Sequence, residues 1–328
     1  MGQSGDRFAE AATAARRTMV REIVAGGGLT DPAWRAAFAE VPRHLFVPYY
    51  FTPRAGAWER LWREDPDPVR RARWLGGAYT DEPLATRLRD GELLSSSSQP
   101  SLMALMLDAL EVTEGNRVLE IGAGTGYNAA LLAHRLGDAA VTTMDLEPEV
   151  TESARAHLAA AGYRPAVVTG DGARGCPERA PFDRVIATCT LASVPYAWPA
   201  QCCDGARIVA PLSTGIVVLR VRHDAAGRTA EGRFLRTSAY FVPLRGAAVP
   251  EEPGTGALSG SAVDNDLFRF MLSLTAGSLD PEEALALWYG EHRPERSRFG
   301  VTVGAGRQWA WLDDPEGPYV WPIGPSGD

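Results

Sequence analysis

The sequence predicts an α/β protein with a doubly wound, Rossmann-like sheet, N-terminal helical elements and a C-terminal α+β extension. Three observations carry this prediction. Short apolar segments alternate with helical segments between residues 101 and 221, as in parallel sheets covered by helices. A glycine-rich turn, Gly122 to Gly126, joins an apolar segment to a helical one. The chain has 328 residues, of which 45% are hydrophobic, which suits one large or two ordinary domains.

The N-terminal region, residues 1–90, is predicted to be helical with an insertion or lid. Its first helix stops at Gly26–Gly28, and the second, in TDPAWRAAFAEV, takes Thr30 or Asp31 as its N-cap. Residues 54–90 are rich in arginine, tryptophan and proline. We therefore expect at most two short helices in that segment.

The middle region, residues 91–222, is predicted to form a ligand-binding core. Helices are expected in SLMALMLDAL, after the glycine-rich turn, and in EPEVTESARAHLAAAG. Strands are expected in RVLEIG, AVTTMD, PAVVTGD, FDRVIATC, ARIVAPL and GIVVLRVR. Because helices separate these strands, the sheet is expected to be parallel and covered on both faces.

The C-terminal region, residues 223–328, is predicted to be an appended α+β accessory region. Helices are expected in DNDLFRFMLSL and DPEEALALWYGEH, and strands in RFLRTSAYFVPLRG, RFGVTVGAG and RQWAWLDDPEGPYVWP. A run of small residues at 250–262 is predicted to be flexible. Tryptophans occur both in this region and in residues 54–90. They either form a surface that binds a peptide or pack together in a small accessory core.

Composition and charge argue against several classes of protein. The net charge is −8, and the basic residues, all arginine, form no basic run, which disfavours nucleic-acid binding. The sequence has no C-x-x-C pair and no H-E-x-x-H motif, so we expect no metal. It also lacks a signal-peptide core and any apolar run of about 18 residues. A cytoplasmic protein without membrane association is predicted.

The glycine-rich turn, in VLEIGAGTGYN, is a candidate cofactor loop. Glycines let a ligand approach the backbone, and the following helix presents free N–H groups. Acidic residues lie at the ends of three predicted strands, where Asp145 suits ribose hydroxyls and Asp171 suits an adenine edge. The predicted cofactor-binding residues are Glu120, Gly122, Gly124, Thr125, Gly126, Asp145, Leu146, Asp171, Gly172 and Thr188.

The acidic surroundings of the turn distinguish between two cofactor classes. The glycine spacing alone would also suit a dinucleotide, but the carboxylates would repel its pyrophosphate. S-adenosylmethionine has no phosphate and carries a cationic sulfonium, so we predict that cofactor. Each carboxylate also has a structural alternative: Glu120 as a cap, Asp145 as a solvated strand end and Asp171 as a turn former.

Several motifs together resemble the protein-L-isoaspartate (D-aspartate) O-methyltransferase family. They are VPRHLFVP, AYTDEPL, a Ser-Gln-Pro segment, VLEIGAGTGYNAALLA, GDG, PFDRVIAT and ARIVAPL, and they extend over residues 30–220. The resemblance implies a class I methyltransferase sheet. It also implies methyl transfer from S-adenosylmethionine to a carboxylate of a damaged aspartyl residue, so a peptide or protein is the expected partner.

The resemblance further implies roles for the serines of ELLSSSSQP, which we expect to form a substrate-side loop. In the family a Thr-Ile-Ser loop precedes Gln-Pro or Ala-Pro, and its serine lies beside the transferred methyl group. Ser98 takes the position of that serine, Ser96 that of the threonine and Ser97 that of the isoleucine. Ser98 is therefore the predicted catalytic residue, and Ser96, Ser97 and Gln99 are predicted to bind substrate. Ser98 could also cap the helix that begins at Pro100, and the two roles are compatible.

Three departures from the family pattern point to a divergent member. Ser97 replaces the isoleucine, Ser101 replaces an aromatic residue or histidine, and residues 54–90 and 223–328 are expected to lack counterparts in repair enzymes. These departures resemble family members associated with ribosomal peptide biosynthesis, first those of ATP-grasp graspetides and then those of lanthipeptides.

The predicted reaction is accordingly esterification of an aspartate side chain in a macrocyclised ribosomal peptide, leading to an aspartimide. Isoaspartyl repair is the alternative. A non-catalytic module that binds S-adenosylmethionine and a small-molecule O-methyltransferase also stay open, since a fold does not select a substrate.

Overall fold

A computed structural model describes residues 8–54, 56–224, 227–246, 254, 258 and 262–324. The chain divides into two compact units, Met1–Gly170 and Asp171–Asp328. The three regions expected from the sequence, with boundaries after residues 90 and 222, stay a prediction. The flexible stretch expected at 250–262 lies almost entirely outside the described residues.

The first unit begins with the two expected helices, α1 (Ala9–Ala25) and α2 (Pro32–Glu40). α1 buries Met19 and Ile23 and ends at the predicted glycines. Asp31 is the N-cap of α2, and its side chain accepts a hydrogen bond from the backbone N–H of Ala33 at 2.8 Å. This contact decides between the two N-cap candidates.

A four-stranded antiparallel sheet follows, and the sequence did not predict it. Its strands are β1 (Tyr49–Arg54), β2 (Ala57–Trp62), β3 (Leu84–Arg89) and β4 (Glu92–Ser97), in the order β2-β1-β3-β4, and α3 (Pro68–Gly77) lies between β2 and β3 in the chain. α3 fits the expectation of at most two short helices over residues 54–90, but that expectation did not include the strands. In β1 and β2 only single residues are apolar and buried, such as the cross-strand partners Tyr50 and Leu61, which gives a weak strand signal.

The rest of the first unit is the expected alternation of helices and parallel strands. Its elements are α4 (Pro100–Leu110), β5 (Val118–Ile121), α5 (Tyr127–Leu136), β6 (Val141–Asp145), α6 (Pro148–Ala160) and β7 (Ala166–Thr169). The strands pair in parallel in the order β5-β6-β7. Every residue of β5 and β6 is buried, as expected for parallel strands that are covered on both faces.

The second unit is mostly antiparallel. Its elements are β8 (Phe182–Ala187), α7 (Ala197–Ala200), β9 (Cys202–Leu212), β10 (Gly215–Asp224), β11 (Gly227–Ser238), α8 (Asp266–Leu274), α9 (Pro281–Gly290), β12 (Phe299–Gly304), β13 (Arg307–Leu312) and β14 (Val320–Pro322). β8 and β9 are parallel, and each of the strands from β9 to β14 pairs antiparallel with the next.

The tryptophans do not share one environment. Trp311 and Trp321 are 3% and 5% exposed, so they contribute to a core of the second unit. Trp74 is fully buried in the first unit and donates from its indole nitrogen to the carbonyl of Val47 at 2.8 Å. Trp58, in contrast, is 42% exposed. For the buried tryptophans the accessory-core interpretation is the one that fits. No helix in the described part of the chain is both long and apolar enough to cross a bilayer.

Candidate active site

The glycine-rich turn connects β5 to α5 in a conformation that requires glycine. Gly122, Gly124 and Gly126 have φ angles of 97°, 50° and 86°, which lie in the left-handed region that other residues avoid. The backbone N–H groups of Gly122 and Ala123 both donate to the carbonyl of Met144 at 2.9 Å. The turn is therefore fixed to the end of β6.

Two of these glycines also allow close approach of other elements. A Cβ on Gly124 would lie 3.5 Å from the carbonyl oxygen of Ser96, and one on Gly126 would lie 3.2 Å from the carbonyl oxygen of Ala154. The Nδ1 atom of His157 on α6 lies 3.0 Å from the carbonyl oxygen of Thr125. The turn is thus packed between β4 on one side and α6 on the other.

Asp145 ends β6 beside the turn, as predicted. Its carboxylate is 7% exposed, and the Oδ2 atom accepts a hydrogen bond from the N–H of Gly124 at 3.2 Å. The alternative of a solvated strand end is therefore wrong. Leu146 follows it and is half-buried.

Glu120 lies deeper than a residue that lines an open cleft. Its carboxylate is fully buried and accepts hydrogen bonds from the side chains of Asn128 at 2.7 Å and Thr143 at 2.5 Å. Burial, and to a smaller extent the nearby charge of Asp145, raise the pKa of Glu120 to about 7 against the effect of those two hydrogen bonds. Both of these partners are side chains and neither is a backbone N–H group, so the capping alternative is wrong. Contact with the cofactor stays a prediction.

The serine segment is mainly a strand and not the loop that we expected. Ser96 and Ser97 belong to β4, where Ser97 is 3% exposed and Ser96 is half-buried. Because side chains alternate across a strand, these two hydroxyls point to opposite faces of the sheet. Ser98 and Gln99 form the short link from β4 to α4.

Asp81 caps α4, and Ser98 does not. The N-cap residue is Gln99, whose side chain makes no capping hydrogen bond. Asp81 accepts from the N–H of Ser101 at 2.7 Å through Oδ1 and from the Gln99 side chain at 3.3 Å through Oδ2. The capping role for Ser98 is therefore wrong.

Sequence reasoning also missed Arg43, which holds the backbone of Ser98. This side chain is fully buried and donates to four carbonyl groups at 3.0–3.2 Å, those of Ala78, Thr80, Glu82 and Ser98. Burial lowers the pKa of Arg43 to about 10. The only sequence signal was an arginine inside the apolar motif VPRHLFVP.

The remaining predicted cofactor residues belong to the second unit. The side chain of Asp171 accepts from the N–H of Ala173 at 2.9 Å, so its turn-forming role is confirmed. The carbonyl of Gly172 accepts from the indole nitrogen of Trp198 at 2.8 Å, and Thr188 follows β8 in a half-buried position. Binding of cofactor by these three residues stays a prediction.

The turn and Asp145 fit the predicted cofactor. A Cβ on Gly124 would narrow the space beside Ser96, the N-terminus of α5 has no side-chain cap, and a buried carboxylate stands at the adjacent strand end. Among the described residues, no group of three or more histidine, cysteine or acidic side chains is arranged to hold a metal ion.

Comparison with known proteins decides the family. The profile of the family "Protein-L-isoaspartate(D-aspartate) O-methyltransferase (PCMT)" matches residues 68–248. The chain is 38% identical over 236 residues to protein-L-isoaspartate O-methyltransferase 1 of Anaeromyxobacter sp. (strain Fw109-5), covering 69% of this chain and 93% of that protein. It is 39% identical over 236 residues to the enzyme of that name from Methanoregula boonei, covering 70% and 93%.

The chain belongs to the protein-L-isoaspartate O-methyltransferase family. It is therefore an S-adenosylmethionine-dependent carboxyl O-methyltransferase, and the predicted enzyme class and cofactor are confirmed. One structural neighbour from this family, of Plasmodium falciparum, contains S-adenosyl-L-homocysteine, the demethylated form of the cofactor. Its TM-score is 0.50 at 13% identity, and the match covers 70% of this chain and 98% of that one.

A second solved structure shares the fold over most of the chain. This protein-L-isoaspartate O-methyltransferase has a TM-score of 0.62 at 22% identity, and the match covers 95% of this chain and all of the other. The predicted Rossmann-like α/β fold is confirmed. The expectation that residues 54–90 and 223–328 lack counterparts in repair enzymes stays a prediction.

Proposed function

We propose that this enzyme methylates the free α-carboxylate of L-isoaspartyl residues in peptides and proteins. One contact carries the proposal: the serine segment reaches the glycine turn, where the carbonyl oxygen of Ser96 lies 3.5 Å from a Cβ built on Gly124. An acceptor held by Ser96 or Ser98 is then adjacent to the loop of the methyl donor. The names of the two curated relatives support an isoaspartyl acceptor.

The chemistry needs orientation more than acid–base catalysis. Bound S-adenosylmethionine supplies a methyl group on a positively charged sulfur, which departs as a neutral thioether when a carboxylate oxygen bonds to the methyl carbon. The acceptor carboxylate is already ionised at neutral pH, so no proton has to move. What remains is to align oxygen, carbon and sulfur. Ser98 is suited to this task because Arg43 fixes its carbonyl at 3.2 Å.

A second candidate acceptor is an aspartate side chain in a macrocyclised ribosomal peptide. Ser101 is shorter than the aromatic residue or histidine that it replaces in the family and is half-buried beside the Ser98–Gln99 link, which favours a bulkier acceptor. The resulting ester would be attacked by the next main-chain amide nitrogen. Loss of methanol, formed from the methoxy group and the amide proton, would leave an aspartimide.

Intact-mass measurements with three peptides test the proposal. Purified enzyme and S-adenosylmethionine are incubated with an isoaspartyl peptide, its aspartyl isomer and a macrocyclised acidic precursor. We expect one added methyl group on the isoaspartyl peptide and none on its isomer. Methylation of the macrocycle alone, decaying to a net loss of one water, would favour the second candidate and contradict the first.

A serine variant tests the role of Ser98. Ser98→Ala is expected to lower the rate of methyl transfer by about 100-fold, a loss typical of a misplaced reactant, without weakening cofactor binding. Ser278→Ala, at an exposed serine of the second unit, is the matched control. An unchanged rate for Ser98→Ala would remove Ser98 from the site.

A further inference from the structure

We infer that the first unit carries a groove that binds acidic residues flanking the acceptor of the peptide substrate. The inference deepens the proposed function, since it rests on the substrate being a peptide. We call this feature the arginine groove. It has a volume of about 320 Å³ and is lined by Tyr49, Phe51, Arg87, Arg89, Leu94 and Glu149, among others.

The arginine groove is continuous with the methyl-transfer site. A small neighbouring cavity of about 30 Å³ shares Tyr49, Thr86 and Arg87 with it and extends to Gly124 and Thr125 of the glycine turn. A peptide with its acceptor residue at the turn can therefore continue into the groove.

The arginines of the groove form at most weak ion pairs within the protein. Arg87 pairs with Glu149 at 2.8 Å, but the Glu149 side chain is 77% exposed, so an incoming carboxylate can replace it at little cost. Arg89 is exposed and faces Glu92 in register, yet no ion pair joins Arg89 to any described residue. Near-surface guanidinium groups of this kind are suited to bidentate binding of carboxylates.

A third arginine, Arg60, lies beside the aromatic residues that line the groove. Phe51 of β1 lies opposite Arg60 of β2, and cross-strand partners share a face of the sheet. The guanidinium of Arg60 lies over the Tyr49 ring, 4.6 Å from its centroid, and over Trp62 at 5.5 Å. Tyr49 and Phe51 can cover the apolar parts of a peptide while the arginines bind its carboxylates.

Nearby arginines on α3 differ from those of the groove because they already form ion pairs with a carboxylate of the protein. Glu59, whose side chain is 10% exposed, pairs with Arg70 at 2.5 Å and Arg73 at 2.9 Å. The protein as a whole has a net charge of −8 and would repel an acidic peptide at long range. A local group of loosely paired arginines beside the site offsets that repulsion for substrates with acidic neighbours.

Peptide binding measured without methyl transfer tests the inference. Two fluorescent peptides are compared by anisotropy in the presence of S-adenosylhomocysteine, one with glutamates flanking the acceptor position and one with glutamines there. We expect the glutamate peptide to bind about tenfold more tightly at low salt, with the difference shrinking as salt is added.

Three variants locate the effect. Arg87→Gln is expected to weaken binding of the glutamate peptide about fivefold, and Glu149→Gln to strengthen it about threefold by freeing Arg87. Arg164→Gln, at an exposed arginine outside the groove, is the matched control and should change nothing. The affinity for the glutamine peptide should be the same in all three variants as in the wild type.

Equal affinities for the two peptides would overturn the inference. The inference would also fail if Arg164→Gln lowered the affinity for the glutamate peptide as much as Arg87→Gln does. It would fail too if inorganic sulfate, added at an equal concentration of charge, displaced the glutamate peptide completely. Either result would indicate unspecific anion binding. The proposed function fails separately: an absence of methyl transfer to the isoaspartyl peptide would overturn it while the binding preference stood.

Discussion

Replacing Glu120 by glutamine should remove a pH dependence of stability that burial creates. The pKa of Glu120 is about 7 in the folded protein, mainly because of burial, against 4.5 for an ordinary glutamate. Each unit of pKa difference corresponds to about 1.4 kcal/mol, so the total is roughly 3 kcal/mol. Because the folded state holds this proton more tightly, the contribution is fully present below about pH 4.5 and is lost as pH rises through about 7.

The assay is urea unfolding, followed by tryptophan fluorescence at several pH values from about 4 to about 8. In Glu120→Gln the amide keeps an oxygen for Asn128 and can donate to the hydroxyl of Thr143, so the fold should tolerate it. As the pH rises over that range, we expect the free energy of unfolding of this variant to increase by roughly 3 kcal/mol relative to that of the wild type. Glu114→Gln, at an exposed position, should run parallel to the wild type. If Glu120→Gln also runs parallel, the carboxylate is not held in a strongly desolvated site, and our account of it is wrong.

Two further predictions concern the support of the site. Gly126→Ala should lower the free energy of unfolding by roughly 2–4 kcal/mol, since this position combines a left-handed φ with contacts at 3.2 Å. The control Gly115→Ala has φ 82° and no atom within 4 Å of the added Cβ, so it should lower the free energy of unfolding by only roughly 1–2 kcal/mol. Equal losses in the two variants would contradict the packing argument. Arg43→Lys leaves fewer donors for four carbonyls and should cost about 1–3 kcal/mol in urea unfolding. It should also lower kcat for the peptide while leaving the Kd of the cofactor unchanged, and a fall in stability with kcat intact would mean that Arg43 does not position Ser98.

The parallel part of the fold could be predicted because its signals are local. β5 and β6 are short segments dominated by apolar and β-branched residues and are fully buried, and each is followed by a turn and a helix with a recognisable start. The positive φ angles of Gly122, Gly124 and Gly126 are the reason that the turn reads as glycine in the sequence. Asp145 was found for the same reason, since its position is set by the end of a strand.

The β1–β4 sheet escaped prediction because its strands contain many residues that are typical of loops and helices. Ser97 pairs with Leu84 across β3 and β4, yet a run of four serines carries no alternation of apolar and polar residues. Arg43 escaped for another reason. Its four carbonyl partners come from residues 78 to 98, and nothing in the local sequence indicates that these chain segments meet around one guanidinium.

The position of the transferred methyl group tests the central claim most directly. The product of the enzyme, S-adenosylmethionine and a peptide that carries one isoaspartyl and one aspartyl residue is fragmented by tandem mass spectrometry. Our account predicts one methyl ester, on the α-carboxylate of the isoaspartyl residue. A methyl ester on the side chain of the aspartyl residue, with the isoaspartyl residue untouched, would contradict the proposed function and point to the esterification of ordinary aspartate.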